Sequence, residues 1–246
     1  IYDMPHFFMT FTMPKEIRQY FFQNRNLIKY LEKNIASLIS YYLRKNCKKN
    51  NESAADAFSD ERKNRGASKN RKRKPKEILC DAVPGIVMVP QTFGERLNPN
   101  LHFHLLCTSQ CIDARGGYWN THLPNYFEMR MAWRNKVLSL LLNMKTISRK
   151  EFINFRLKYP KGFNIHISEP EKNNEAQSRR HILENIGKYL VRTPLSEAKI
   201  IEYNKSKKTV TIRYKQYEFD NEGKLKKSGD YGIEKMDCLE LLARLS

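Results

Sequence analysis

The sequence predicts an α+β fold, because strand patterns and helix patterns both recur along the chain. The run FFMTFT, at residues 7–12, is rich in β-forming residues and is closed by Met13-Pro14. The segment from Lys15 to Arg44 has apolar residues at helical spacing and contains no proline. These two patterns predict a strand and then one or two helices, which make up the first part of the chain, residues 1–45.

Two further strands are expected where order resumes near residue 80. One is IVMVPQTFG, at 86–94, and the other is LHFHLLCTS, at 101–109. In the second run, Phe103 and the leucines two positions before and after it alternate with His102 and His104, which is the two-residue period of a half-buried strand. His102 and His104 therefore point to the same face of that strand.

Helices and a short strand complete this region. Helical spacing predicts helices at 127–145 and 148–158, and FNIHIS, at 163–168, predicts a strand. Another helix is expected from Ser178 until Thr193-Pro194, where proline stops it.

The rest of the chain has the pattern of a β-hairpin followed by the start of a helix at Asp237. We therefore group residues 80–200 as the core of the domain and residues 201–246 as a C-terminal hairpin with a helix start.

Residues 46–79 differ in composition from both neighbours. They contain almost no large apolar side chain, so they cannot bury enough surface to order themselves. Their positive charge culminates in the run Arg71, Lys72, Arg73 and Lys74. Two interpretations stay open: a basic arm that contacts DNA, and a solvated insertion that only adds nonspecific affinity.

The chain as a whole is strongly basic. Its 246 residues include 45 Lys plus Arg against 26 Asp plus Glu, a formal net charge of +19. Such a charge attracts polyanions, and nucleic acid is the first candidate. A membrane partner is not expected, because the sequence has neither a long uncharged apolar run nor a basic amphipathic helix with a clean apolar face.

Five cysteines, an odd number, do not make a disulfide framework in a chain of this size. A reducing compartment, the cytoplasm, is the simplest inference. Cys107 and Cys111 could be half of a zinc site, but no second Cys or His pair at metal spacing accompanies them. We therefore expect them to be buried thiols. The chain also begins without a signal-peptide pattern and without an initiator Met, so both ends look trimmed.

His102 and His104 are the candidate metal ligands. Two histidines one residue apart on a strand project side by side, so they can share one cation and leave the rest of its coordination sphere open for water or phosphate. An open site of this kind is catalytic rather than structural. The alternative interpretation is two packed or surface histidines.

A metal site would need a third ligand. Gln91 is preferred, because a polar side chain in an otherwise apolar run needs a reason to be there. Glu95 in the next loop and Asp113 are further candidates, although Glu95 could instead pair with Arg96 or with solvent. Two imidazole nitrogens and one oxygen suit Mg²⁺ or Mn²⁺ acting on a phosphate.

Tyr189 is the candidate nucleophile. A tyrosine hydroxyl is a poor nucleophile at neutral pH, so a catalytic one needs nearby positive charge or a metal-polarised phosphate. Lys188 and Arg192 supply the charge, and the histidines could supply the metal. As a bare pattern, ordinary packing explains one helical tyrosine among 13 better than catalysis does.

Three stretches, taken together and in order, resemble one family. They are MPHFFMTFTMPKEIRQYFFQNRNLIKYL, PGIVMVPQTFGERLNPNLHFHLLCTSQCID and IGKYLVRTPLSEAKI. They are similar to the corresponding blocks of the HUH-type transposases of the insertion-sequence ninety-one and common-region kind. The resemblance spans nearly the whole chain outside the basic insertion.

The resemblance implies an HUH endonuclease fold, in which a central antiparallel sheet carries the two histidines and is flanked by helices. His102 and His104 match the HUH pair, and Tyr189 matches the tyrosine of the Tyr-x-x-Arg block with Arg192 in place. Members with two catalytic tyrosines carry them four residues apart, and Asn185 stands at that position here. The chain therefore resembles the single-tyrosine branch.

Two other departures matter. Gln91 stands where relatives often have histidine. The family's amino-terminal zinc-binding segment is missing from this sequence, since nothing Cys-rich precedes Met4, and the resemblance implies that the full-length protein carries it. The resemblance implies a prokaryotic, nucleoid-associated enzyme that nicks and rejoins single-stranded DNA at transposon ends through a 5′-phosphotyrosine. Completing two strand transfers with one tyrosine could involve two protomers, a possible homodimer, or successive use of the same residue.

Aromatic platforms are expected to help select single strands. Tyr118 and Trp119 follow a Gly-Gly turn and are the preferred pair, whereas Trp133, on an amphipathic helix, is expected to be core. Two alternatives to a transposase stay open: a replication initiator or relaxase with the same chemistry, and a DNA-binding regulator without catalysis.

Overall fold

The computed structural model describes residues 6–49, 80–121, 125–168, 195–219 and 225–245. These ranges form two antiparallel sheets and a set of helices, so the fold class is α+β, as the sequence predicts. The helices and strands, in chain order, are β1 (His6–Thr12), α1 (Lys15–Gln23), α2 (Ile28–Lys45), β2 (Lys48–Lys49), β3 (Val83–Phe93), β4 (Pro99–Ile112), β5 (Tyr118–Asn120), α3 (Tyr126–Asn143), α4 (Arg149–Lys158), β6 (Ile165–Ser168), β7 (Ile200–Asn204), β8 (Thr209–Phe219), β9 (Leu225–Asp237) and α5 (Cys238–Leu245).

Strand β4 is the centre of the larger sheet. β3 pairs with one edge of β4, and β1 and β5 share the other edge, all antiparallel. β6 extends the sheet beyond β1, and β2 extends it beyond β5. A central antiparallel sheet flanked by helices is therefore present, and the strand that carries both histidines lies in its middle.

One face of this sheet forms the main core with α1, α2 and α3. Phe11 and Phe103 project from β1 and β4 into this core and meet the ring of Trp133 edge to face, at centroid distances of 5.4 and 6.4 Å. Trp133 is fully buried, and its Nε1 donates a hydrogen bond to the Thr12 carbonyl at 2.9 Å. The expectation that Trp133 is a core residue is confirmed.

The helices bury the faces that their spacing predicts. Along α2, the buried positions recur every three or four residues, at Leu31, Ile35, Leu38, Ile39, Tyr42 and Leu43. At the start of α4, Ser148 and Glu151 form a reciprocal cap, in which each side chain bonds the backbone N–H of the other. Within the described ranges, none of the helices has both the length and the apolar character needed to cross a membrane.

Gly162 sets the turn that brings β6 back to the sheet. Its φ is +80°, and a Cβ at this position would lie 2.2 Å from the backbone carbon of Arg130. Glycine is therefore the residue that permits this close approach. The next residue, Phe163, is buried, and its N–H donates to the Arg130 carbonyl at 3.1 Å.

The cysteines are thiols in the core and at its margin. Cys107 and Cys111 are both fully buried, as expected, and burial raises the pKa of Cys107 to about 12. Cys47, in the first residues of the basic insertion, and Cys80, directly after it, both pack against the core near Cys111. The start of the insertion, through β2, is therefore ordered, contrary to the expectation for residues 46–79. Burial, and then the neighbouring thiols, raise the pKa of Cys47 well above its ordinary value. All five cysteines, each in a described range, are unbridged.

The C-terminal region forms a three-stranded sheet in the order β7-β8-β9, one strand more than the predicted hairpin. β7 has five residues and is exposed along most of its length, so it offers no periodic apolar signal. It is a strand because its backbone pairs with the edge of β8. The predicted helix start is confirmed, because α5 begins at Cys238 and the Asp237 carboxylate accepts the Leu239 N–H at 2.7 Å.

The turn between β3 and β4 packs against the inner face of this small sheet. Leu97, at its tip, is 1% exposed and packs in a second core with Val210, Ile212 and Met236. Beside it, Arg96 donates to the Glu234 carboxylate at 2.9 Å, and Arg244 donates to the same carboxylate at 3.0 Å. Although burial acts in the opposite direction, these two cations hold the pKa of Glu234 below its usual value. The C-terminal sheet is therefore clamped to the two strands that carry the histidines and Gln91.

Truncating the leucine of this clamp should weaken the fold. We expect Leu97→Ala to lower the free energy of unfolding by about 2–4 kcal/mol, because it removes a buried side chain and leaves a cavity. The backbone at this position, with φ of 57°, is equally strained for alanine, so the strain does not change. Urea unfolding followed by circular dichroism measures the effect. The matched control is Leu157→Ala on α4, where the leucine is 74% exposed and the change should stay within about 0.5 kcal/mol. Equal effects of the two substitutions would contradict the burial of Leu97.

Candidate active site

His102 and His104 lie side by side on the face of β4 that points away from the main core. Their ring centroids are 4.8 Å apart, and the rings are inclined at 79°. Leu101 and Phe103, which alternate with them, are completely buried on the other face. The predicted alternation is confirmed, so the packing of the core fixes which way the imidazoles point.

Each imidazole is held through its Nδ1 atom. His102 Nδ1 lies 2.7 Å from the Asn100 carbonyl, which can only accept, so this nitrogen carries the proton. His104 Nδ1 lies 3.3 Å from the hydroxyl of Thr10 on β1. Nε2 is then the basic nitrogen of His102, and the Thr10 contact allows the same arrangement in His104. Histidines that ligate metals are oriented by such contacts through their other ring nitrogen.

Gln91 lies directly across from His102 on β3. Directly opposed residues of antiparallel strands project to the same face, so the amide stands beside the His102 imidazole. The residue is 6% exposed, and its Nε2 has no hydrogen-bond partner within the described part of the chain. An unpaired buried amide costs about 1–3 kcal/mol, which a bound group would recover. Because the two ends of an amide are interchangeable by rotation, either its oxygen or its nitrogen can face such a group.

The two other candidate ligands are engaged elsewhere. Glu95 pairs with Lys199 at 3.2 Å, and not with Arg96, whose partner is Glu234. Asp113 organises the turn before β5, where its carboxylate accepts the N–H groups of Arg115 and Gly117 and the Trp119 indole N–H.

Asp113 is also far from the imidazoles. It comes nine residues after His104 along β4, which at about 3.3 Å per residue separates the two by roughly 30 Å. The structure does not bring Asp113 to the imidazoles, and its carboxylate is used by the turn before β5.

The polar surface continues across β1 and β6. Thr12 pairs with His102, and Thr10 pairs with both His104 and His166. His166, which is exposed, therefore lies in the same row as His104 with one strand between them. Sequence reasoning placed FNIHIS on a strand but drew nothing from this histidine; the signal that could have found it was its own alternation with buried Ile165.

Next to the histidines the same face becomes apolar. Val87, Leu106 and Phe8 form the row after His104, and together with Val89 and Thr10 they line a shallow groove that His104 borders. Val87 is 44% exposed. An apolar groove that ends at a pair of imidazoles could seat an apolar side chain or a base while its polar end meets a phosphate.

Within the described ranges, no three His, Cys, Asp or Glu side chains come together in a way that could hold a metal ion. A site with three protein ligands therefore needs Gln91, or a residue outside those ranges, beside the two histidines. The pair and the amide oxygen are a donor set that Mg²⁺ and Mn²⁺ accept. Gln91 fits this set only with its amide turned so that the oxygen, rather than the Nε2 left without a partner in the described residues, faces the ion.

The predicted aromatic pair lies at the opposite end of β4. Tyr118 and Trp119 are on β5, which pairs with residues 110–112. Tyr118 is 39% exposed, whereas Trp119 is half-buried against the core, with its Nε1 held by Asp113. Of the two, Tyr118 has the ring that a base could reach.

Several predicted residues fall outside the described ranges. They are Tyr189, Lys188, Arg192 and the basic run Arg71, Lys72, Arg73 and Lys74, together with the helix expected from Ser178.

Comparison with protein families gives a match over most of this structure. A family model whose description is "Putative transposase", Y2_Tnp, matches residues 85–246, about two thirds of the chain. The chain belongs to this transposase family. The matched region begins in β3 and contains β4 with both histidines, Gln91 and the whole C-terminal sheet. No curated protein and no solved structure matches the transposase.

The protonation of His102 in the transposase can be tested directly. We expect Nδ1 to carry the proton in the metal-free chain at pH 8, because the facing Asn100 carbonyl has only lone pairs to offer. The ¹⁵N chemical shifts of the ring, read by long-range ¹H–¹⁵N NMR, distinguish the two tautomers, and His102→Gln assigns the signal. The exposed imidazole of His166 is the internal comparison. A proton on Nε2 of His102 would contradict the arrangement described above.

Proposed function

We propose that this transposase nicks and rejoins single-stranded DNA at transposon ends, with Tyr189 as its single nucleophile. The observation that carries the proposal is the pair of imidazoles on the central strand, with Nδ1 of each engaged and both rings on the face away from the main core. In a transposase, such a pair is suited to work on a phosphate. The resemblance of the surrounding blocks to HUH transposases supports the same chemistry.

His102, His104 and Gln91 would hold Mg²⁺ or Mn²⁺. The ion would supply charge stabilisation on the phosphoryl oxygens. The Asn100 carbonyl and the Thr10 hydroxyl keep the two imidazoles in fixed orientations, and burial keeps Gln91 beside them. The chain thus pays little reorganisation when the site is filled.

In the proposed step, the Tyr189 phenol oxygen forms a bond to the scissile phosphorus and gives up its proton to solvent. The bond from phosphorus to the 3′-oxygen breaks, and that oxygen leaves as a 3′-OH after taking a proton. The products are a 5′-phosphotyrosine and a free 3′ end. Since the phosphodiester is conserved in the protein link, attack by a 3′-OH reverses the step and joins strands without ATP.

The proposal requires residue 189 to reach the face of the sheet that carries the imidazoles. Residues 169–194 connect Ser168, at the end of β6, with Leu195, which packs on the second core. The apolar groove formed by Phe8, Val87 and Leu106 borders His104 on the same face of the sheet. Lys188 and Arg192 would then hold the DNA backbone beside the phenol.

The remaining contacts are of lower specificity. The net charge of +19 attracts the strand, the basic run at 71–74 adds nonspecific affinity, and Tyr118 offers a ring for stacking. With one tyrosine, two strand transfers need either a homodimer or repeated use of Tyr189.

The nucleophile is tested by trapping the adduct. Incubation with a single-stranded oligonucleotide carrying the element's end and Mn²⁺ should give a covalent adduct that resists denaturation. We expect Tyr189→Phe to abolish it, because the attacking oxygen is gone, and His102→Ala or His104→Ala to reduce the rate by about 100-fold or more. Denaturing gels and mass spectrometry measure the adduct and its site.

The control for this experiment is Tyr203→Phe, which removes the hydroxyl of a 61% exposed tyrosine on β7 and should leave the adduct unchanged. An adduct that survives Tyr189→Phe would place the nucleophile elsewhere. If no adduct forms over a range of metals and end sequences, the chain binds DNA without cutting it.

Gln91 is tested by opposite effects on stability and on metal binding. Gln91→Met keeps the volume but removes the unpaired amide, so we expect the metal-free protein to gain about 1 kcal/mol of unfolding free energy. The same change should weaken Mn²⁺ binding roughly tenfold, because an oxygen ligand is lost. Urea unfolding in EDTA and calorimetric titration with Mn²⁺ give the two values. A variant that is more stable but binds Mn²⁺ as before would exclude Gln91 as a ligand.

A further inference from the structure

The C-terminal sheet has one face in the second core and one face in solvent. Val210, Ile212 and Met236 form the inner side and pack around Leu97. By the register of β8 and β9, the residues between them point outward. We call this side the outer face; it is formed by Thr211, Arg213, Lys215, Tyr231, Ile233 and Lys235.

The outer face exposes large apolar side chains among cations. Tyr231 is 55% exposed and Ile233 is 67% exposed. Arg213 is opposite Ile233 and Lys215 is opposite Tyr231, so each apolar side chain has a cation as its cross-strand neighbour. Lys235 adds a third positive charge.

Two carboxylates of the described strands share the outer phase with the three cations. Glu202 is opposite Thr211, and Asp237 follows Lys235 by two residues on β9. Asp237, at the end of β9, caps α5 through the Leu239 N–H. The surface is therefore positive at its centre, where the exposed ring lies.

Arg213 and Tyr231 form a fixed pair. The Arg213 Nε donates to the Ala198 carbonyl at 2.9 Å, which holds the guanidinium in place. Its Cζ atom lies 5.3 Å from the centroid of the Tyr231 ring, within the range of a cation–π contact. A planar cation and an aromatic ring side by side, both exposed, can accept a phosphate and an unpaired base at the same time.

We propose that the outer face binds single-stranded DNA, with a base stacked on Tyr231 and the backbone along Arg213, Lys215 and Lys235. An unpaired base has a flat face that is free to stack on the Tyr231 ring. In duplex DNA that face is already stacked on the neighbouring bases. In assigning this strand to transposon DNA, the inference rests on the proposed function; the binding itself does not.

The clamp gives this surface a role in the same reaction. Leu97, the Arg96–Glu234 ion pair and the Lys199–Glu95 ion pair join the C-terminal sheet to the turn between β3 and β4. Those strands carry Gln91 and His102. A DNA strand held on the outer face is therefore kept at a fixed position relative to the candidate active site. Its binding to the outer face does not depend on a metal ion.

The test measures binding to the full chain in EDTA, by fluorescence anisotropy with a labelled oligothymidylate of about 20 nucleotides. We expect Tyr231→Ala to weaken binding about tenfold and Tyr231→Phe, which keeps the ring, to bind within about twofold of the unmodified chain. Replacing Lys215 and Lys235 by Gln should lower the slope of log affinity against log salt by about 1.4, or 0.7 for each cation.

The matched control is Tyr203→Ala, a 61% exposed tyrosine on β7 that register places in the inner phase, opposite Val210. It should leave the affinity unchanged. Tyr231→Ala at saturating DNA should still form the Tyr189 adduct, so a loss of binding here and a loss of cleavage are separate results.

Three results would overturn the proposal. One is that Tyr231→Ala and Tyr203→Ala change the affinity for the oligothymidylate equally. Failure of the unmodified chain and of both variants to bind it counts as the same result. Another is duplex DNA that binds as tightly and is weakened as much by Tyr231→Ala. The third is a dimer that Tyr231→Ala converts to monomer without a change in DNA affinity, which would make the outer face an interface between two copies of the chain.

Discussion

The alternation of side chains along β4 is the constraint on which the candidate site depends. Leu101, Phe103 and Leu105 are buried on one face, and a slip of one residue would expose them while burying the imidazoles. Each buried aliphatic or aromatic side chain contributes roughly 1.5–3 kcal/mol, so the set outweighs any preference of the histidines for a particular side. The orientation of the imidazoles is thus a consequence of core packing, and the hydrogen bonds to Asn100 and Thr10 refine it.

Gln91 shows the opposite balance. A methionine or leucine would suit its buried position on β3 better than an amide whose Nε2 is left without a partner in the described structure. Unsatisfied buried polar groups are uncommon in folded proteins and concentrate where a ligand or function accounts for them. This one lies directly across from His102, so an oxygen of a bound phosphate could accept from its Nε2, or a cation could meet its oxygen after rotation of the amide.

Much of this was accessible from the sequence, because the signals were local. The periods of two and 3.6 residues predicted β1, β3, β4 and the helices, and they placed both histidines on one face. Local patterns could not predict the contacts between residues that are far apart in the sequence. The sequence around Asp113 does not show that a turn uses its carboxylate. Strand β7 is too short and too exposed to show the two-residue alternation of apolar side chains. Leu97 lies in the turn between β3 and β4, where no periodic pattern marks it as buried, yet it packs in the core of the C-terminal sheet.

That last contact changes how the C-terminal sheet should be understood. Alone, four buried side chains would make a marginal core, since small units bury too little apolar surface to fold independently. The turn between β3 and β4 supplies one of them, Leu97, and the ion pairs of Glu234 and Glu95 join the same turn region to the C-terminal residues. The sheet therefore depends on the strands of the candidate site for its stability. Conversely, any force that DNA exerts on the outer face is transmitted to β3 and β4 through a packed leucine rather than through a flexible linker.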